Sequence, residues 1–143
     1  MIVLDTNVIS ETLKPTPNEQ VMSWLAEHAA EVTITAITVG ELSLGLELLP
    51  DGRRKTELRR LLGDIFASHR HRVVSFDAPA GQRYGELIAR RRAHGRPLAR
   101  EDAMIAAMCL TRDTALATRN VKDFDGMGLT LINPWLPTGR TVA

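Results

Sequence analysis

Cysteine is nearly missing from this chain. Cys109 is the only one, which excludes an internal disulfide and fits a reducing compartment. Aromatic residues are also scarce, at 4% of the chain. They are Trp24, Trp135, Tyr84 and three phenylalanines with the look of buried residues, too few for a broad surface that stacks bases. No apolar run approaches the ~18 residues that would suggest a membrane span. There is no basic-then-apolar leader and no C-terminal lipid signal, and the first strand pattern starts at residue 2, so a soluble, cytoplasmic protein without membrane contact is expected. Lysine is limited to Lys14, Lys55 and Lys122, so arginine supplies nearly all the positive charge. Eighteen basic residues against 17 acidic ones leave +1, and net charge alone does not point to nucleic acid.

What is present has the pattern of one globular domain. At 143 residues, 44% hydrophobic and 24% charged, the chain is large enough to bury its own core. Ile2-Val3-Leu4 is a short apolar run ending on Asp5. Similar short runs recur at Val32-Thr33-Ile34-Thr35, Val73-Val74-Ser75-Phe76, residues 115–118 and Thr130-Leu131-Ile132. Helical periodicity fills the intervals. Val21, Trp24, Leu25 and His28 share one face, a leucine-rich helix is expected from Thr38 to Leu49, and another over residues 53–69. Pro79 suits a first helical turn, and a last helix runs from about Arg100 through Cys109. The alternation predicts a three-layer α/β/α domain over residues 1–136, built on a short parallel sheet of about five strands, with a loose tail at 137–143.

Four carboxylates stand out. In open α/β sheets ligands bind beyond the carboxyl ends of the strands, where Asp5 stands. Asp5 or Thr6 as an ordinary helix cap is the alternative. Glu41 aligns with Leu44, Gly45 and Leu48, and an unpaired charge buried on such a stripe would cost several kcal/mol. Yet Thr38-x-x-Glu41 also fits a capping box. Asp102 aligns with Ile105, Ala106 and Cys109 in a first helical turn, where the dipole alone favours an acid. Its neighbour Glu101 aligns with Met104 and Met108, so periodicity leaves open which one points inward. Asp123 follows the fourth strand at the same edge as Asp5, and is otherwise a turn residue. Each acid has a bland explanation. Together they can meet at one edge of one sheet, and clustered carboxylates repel unless a cation binds them. Oxygen ligands without cysteine or histidine suit Mg2+ or Mn2+ rather than Zn2+. Such sites serve metal-assisted hydrolysis of phosphodiesters.

The ordered pieces Val3-Leu-Asp-Thr-Asn7, Thr38-x-x-Glu41, Glu101-Asp102-Ala103-x-Ile105-Ala106-Ala107, Ala117-Thr-Arg-Asn120 with Asp123-Phe124, and Asn133-Pro134-Trp135 span nearly the whole chain. In them the sequence resembles the PIN-domain ribonucleases, and among those the VapC toxins of VapBC toxin–antitoxin pairs, in the FitB-like group. The resemblance implies a PIN-like fold and a Mg2+-dependent endoribonuclease with Asp5, Glu41, Asp102 and Asp123 as its acidic quartet. By that likeness Asp102 is the inward acid, Asp5 and Asp102 are the principal metal ligands, and Thr6 and Asn120 support the site. It further implies a homodimer and neutralisation by a small VapB antitoxin, in assemblies such as a dimer of heterodimers that reach operator DNA only through the antitoxin. One departure is Thr111-Arg-Asp-Thr114, where a smaller turn containing glycine is expected.

RNA needs cations as well as metal. Arg53, Arg54 and Lys55, followed by Arg59 and Arg60, and Arg90, Arg91 and Arg92, followed by Arg96 and Arg100, are candidates, because arginine contacts phosphate bidentately. A solvated helix face is the alternative, and for either run taken alone it is the better explanation. With few aromatics, recognition of RNA by backbone shape is expected rather than stacking on single strands. Rival readings fare worse. An aspartate-nucleophile phosphatase needs a second acid where Asn7 stands, and a receiver domain needs a lysine at a late strand end. A binding module with a vestigial site is opposed by the intact acids.

Overall fold

The computed structural model describes residues 1–137 and the backbone of residues 141–142. In chain order the elements are β1 (Ile2–Leu4), α1 (Thr6–Thr12), α2 (Glu19–Glu27), β2 (Val32–Thr33), α3 (Ala36–Glu47), α4 (Arg53–Ser68), α5 (Ala78–Ala93), α6 (Arg100–Arg112), β3 (Ala115–Ala117), a 3-10 turn (Val121–Phe124), β4 (Leu131–Ile132) and β5 (Thr141–Val142). The sheet order is β2-β1-β3-β4-β5. The first four strands run parallel, and β5 pairs antiparallel with β4. From β1 the chain moves outward to β2, then returns to place β3 on the other side of β1. The connections therefore diverge between β1 and β3, and a crevice opens at their carboxyl ends.

Side chains alternate across a strand, and β1 shows what that does. Val3 enters one core with Leu87, Ile105, Met108, Leu116 and Phe124. Its neighbours Ile2 and Leu4 enter the other, with Val8, Val21, Trp24, Ile34 and Leu62. All three are buried, so β1 is covered on both faces as the middle layer of three. The helix α6 is buried at Ala103, Ile105, Ala106, Ala107, Met108 and Cys109. Its alanines let the helix sit close to the sheet, and burial pushes the Cys109 thiol up to about 12, which makes it inert.

The structure corrects several expectations. Val73–Phe76 is not a full strand: only Val74 bridges to Thr35. Its N–H donates to Ile34 O at 2.9 Å and its carbonyl accepts Ala36 N–H at 2.8 Å. The flanking carbonyls are taken by side chains, that of Arg72 by the Thr33 hydroxyl and that of Ser75 by Arg112. The fifth strand is instead β5, so four strands are parallel rather than five. Residues 138–140 and 143 of the expected tail lie outside the described residues. α3 begins at Ala36, two residues before Thr38. The unexpected turn at Thr111–Thr114 is made by Asp113 itself, which takes the left-handed conformation at φ 51° where glycine is the usual choice.

Candidate active site

Asp5 is set by the end of β1. Its N–H donates to Ala117 O at 2.9 Å, so pairing with β3 continues up to the acid. Its side chain then caps α1, accepting the Thr6 N–H at 2.8 Å. The other oxygen accepts the Thr118 hydroxyl at 2.7 Å and the Asn7 amide at 3.2 Å. The side chain that caps α1 is thus also the candidate site residue, and it is only 4% exposed. Burial pushes its carboxyl up, the bonds from Thr118 and Thr6 oppose this, and the charge of Asp123 adds to it.

Glu41 does not act as a cap. The N-cap of α3 is Thr35, whose hydroxyl accepts the Thr38 N–H at 3.1 Å. Glu41 lies deeper in the helix and accepts the Thr6 hydroxyl at 2.8 Å. That hydroxyl is also 3.1 Å from the hydroxyl of buried Thr38. Burial raises the Glu41 carboxyl, the Thr6 bond lowers it, and the charges of Asp5 and Glu101 raise it further.

Asp102 stands in the first turn of α6 and is half-buried, while Glu101 is exposed. Burial and then the charges of Asp5, Glu41, Asp123 and Glu101 push Asp102 up to about 6. Asp5, Glu41 and Asp102 line one cavity of about 390 Å³, together with Thr6, Asn7 and Asn120. Asp123 is exposed in the 3-10 turn and lies outside that lining, acting on Asp5 and Asp102 through its charge. The pattern is one of mutual repulsion at a partly desolvated site, which a bound cation would relieve. Among the described residues, no three acidic, histidine or cysteine side chains stand close enough to hold a metal ion by themselves. A hard cation that keeps several waters fits such a donor set better than Zn2+, which demands close protein ligands.

Thr118, Asn7 and Thr38 were missed as individual site residues. Thr118 was legible in principle: Leu4 pairs with Ala117, so the next residue on each strand, Asp5 and Thr118, must meet. The Thr118 hydroxyl also receives the Asn120 N–H at 3.1 Å, which ties the following loop to Asp5.

The basic runs divide. Lys55 is buried, and its ammonium donates to Glu47 O at 3.1 Å and Leu49 O at 3.0 Å, so it closes the end of α3 rather than facing solvent. Arg53 is exposed. Arg54 donates to Leu13 O at 2.7 Å and lines an apolar groove of about 390 Å³ with Leu42, Leu46, Leu58 and Leu62. This groove shares Thr6, Ser10, Lys14 and Glu41 with the acidic cavity, so the two adjoin. Arg91 donates to Asp123 O at 3.0 Å and Asp125 O at 3.2 Å, which fixes the 3-10 turn. Arg90 and Arg92 are exposed in the last turn of α5.

Residues 2–128 match the family model described as PIN domain. The chain is 40% identical to the VapC ribonuclease Y4jK of Sinorhizobium fredii, over 96% of its own length and 99% of that protein. It is also 40% identical to Toxin FitB of Neisseria gonorrhoeae, over 94% and 99% of the two chains. The structure of FitAB bound to an IR36 DNA fragment superposes with a TM-score of 0.89 at 37% identity, covering 95% of this chain and 96% of that one.

Proposed function

The chain belongs to the PIN-domain family, and from that premise we propose that it is the toxin of a VapBC-type pair, an endoribonuclease that hydrolyses RNA phosphodiester bonds at the acidic cavity. The observation that carries this reading is the facing of Asp5, Glu41 and Asp102 into one cavity at the divergence of β1 and β3. Mg2+, with Mn2+ as a substitute, supplies charge neutralisation at the phosphate and activates water when bound. Asp5 and Asp102 hold it. Glu41 and Asp123 complete the site or orient the attacking water. Thr6 and Thr118 keep Glu41 and Asp5 aimed and oppose the upward push of burial on their carboxyls, and Asn120 supports the loop beside them. In the reaction an acid takes a proton from water as its oxygen adds to phosphorus, the bond from phosphorus to one ester oxygen breaks, and that oxygen leaves as a hydroxyl once a proton is returned to it.

Arg53, Arg90 and Arg92, which are exposed, supply positive charge for an RNA backbone, whereas Lys55 and Arg91 serve the fold. A VapB-type antitoxin inhibits the enzyme by laying an apolar segment in the leucine-lined groove and reaching Glu41 with a cation, since that groove runs into the acidic cavity. The chain acts as a homodimer in the cytoplasm, meeting operator DNA only through the antitoxin. The VapC ribonuclease relative and the FitAB complex support this reading. Among the described residues, no helix is long and apolar enough to cross a membrane.

The test is cleavage of total RNA by purified protein with Mn2+ or Mg2+. Cleavage is expected, abolished by chelation and by Asp5→Asn. Cleavage that survives both would refute the assignment.

A further inference from the structure

One wall of the acidic cavity is made of a different chemistry. Arg119 and Trp135 line it opposite no carboxylate partner for the arginine: among the described residues, none of the ion pairs involves Arg119. Its guanidinium lies over the Trp135 ring, 5.3 Å from the centroid. Both partners are held at their backbones. The Arg119 N–H donates to Asn7 Oδ1 at 3.4 Å, and the Asn7 amide in turn donates to Asp5. The backbone N–H of Trp135 donates to Asn133 Oδ1 at 3.0 Å, and the ring packs beside the core that contains Leu4 and Trp24.

Glu11 adds a third support. It is only 5% exposed and lines the same cavity, where Lys14 holds its carboxyl below the usual range, helped by the Asn18 backbone and the Trp135 side chain. The half-buried indole therefore packs against the core beside Glu11, and exposed Arg119 lies over its ring. A planar guanidinium resting on an indole presents its second face as a stacking surface, and bases in RNA stack on arginine planes as well as on aromatic rings.

We propose that Arg119, laid on Trp135, is the stacking platform for the nucleobase next to the scissile phosphate. This rests on the nuclease reading above and gives that site a base-binding subsite. The substrate class it selects is RNA with an unpaired nucleotide at the cut, because a base within a duplex cannot lie on the platform. That differs from the expectation of recognition by backbone shape alone. The scarcity of aromatics does not bear on it, since one ring at the site mouth is enough.

The experiment has two arms. In the first, kcat and KM for RNA cleavage are measured for wild type, Arg119→Gln and Arg119→Lys, and Mn2+ binding is followed by calorimetry. Both variants are expected to raise KM on the order of ten-fold, with kcat and Mn2+ binding nearly unchanged, as loss of one stacked base implies. Wild-type KM in Arg119→Lys would mean that charge alone matters and would overturn the proposal, as would an unchanged KM in Arg119→Gln. In the second arm, tryptophan fluorescence of Asp5→Asn is followed as a pool of short single-stranded oligoribonucleotides of random sequence is added. Trp24 is buried and stacked on His28, so a quench that disappears in Trp135→Phe reports the platform. No quench overturns the proposal, even if the protein cleaves RNA normally. Absence of wild-type cleavage refutes the nuclease reading instead, and the fluorescence arm still decides the platform.

Discussion

Thr118 shows how little at the level of a single residue separates a working site from a strained one. Its hydroxyl donates to Asp5 and accepts the Asn120 N–H, so Thr118→Val removes a bond that favours the Asp5 carboxylate and orphans a backbone donor. Cleavage by Thr118→Val is expected to fall at least ten-fold, with stability lowered by about 1–2 kcal/mol, measured by RNA cleavage and urea unfolding. Asp102 sets the pH response. Its carboxyl is raised from 3.8 to about 6 in the folded protein, so the metal-free fold binds that proton more tightly than the unfolded chain does. The stabilisation from that proton is complete below the unfolded value and is lost as pH rises through about 6. Glu11 works the other way: its lowered carboxyl supports the fold at neutral pH and that support is lost on acidification. If Asp102 holds the metal as proposed, the metal must displace its proton, so Mn2+ affinity is expected to be flat above about pH 6.5 and to fall by roughly ten-fold per unit well below 6. Calorimetry across pH checks this, and an affinity indifferent to pH between 5 and 7 would contradict it.

At the scale of elements, the short links between helices carry as much as the strands do. Lys55 on α4 takes two carbonyls at the end of α3, at 3.1 and 3.0 Å, and so fixes the angle between the helices that wall the apolar groove. Lys55→Met is expected to destabilise the protein by about 1–3 kcal/mol, because those carbonyls lose their charged donor, while cleavage per folded molecule changes little. Chemical unfolding alongside an activity assay tests both halves. Lys55 also shows where the sequence could not be read: a basic run looks solvated until the carbonyls that bury one member are in place. The same limit applies to Val73–Phe76, which has the composition of a strand. Only Val74 pairs, with Thr35, while the nearby carbonyls of Arg72 and Ser75 accept from Thr33 and Arg112, residues far off in the chain. By contrast β1 was legible, since three apolar residues before an acid leave no other place for the acid than the sheet edge. Asp5 followed from that edge, whereas the choice of Asp102 over Glu101 came only from the family resemblance, and the freeing of Glu41 from any cap depended on α3 being capped by Thr35 rather than Thr38.

At the scale of the whole molecule, the order β2-β1-β3-β4-β5 brings residues 5, 41, 102 and 118 to one crevice from four distant parts of the chain. The two cores on either face of the sheet hold that crevice open, with no need of a disulfide, and leave its acids repelling one another. A ligand that binds only the folded state raises its stability by mass action. Millimolar Mn2+ is therefore expected to raise the melting temperature at pH 7.5 and to do so much less at pH 5, with chelator restoring the original value.

The most direct test of the central claim is a calorimetric titration of Mn2+ into the wild-type protein and into Asp5→Asn at neutral pH, beside RNA cleavage by the same samples. Saturable binding and cleavage in the wild type, both lost in Asp5→Asn, are the predicted result. No uptake of Mn2+ by the wild type, or equal uptake by the two proteins, would contradict it.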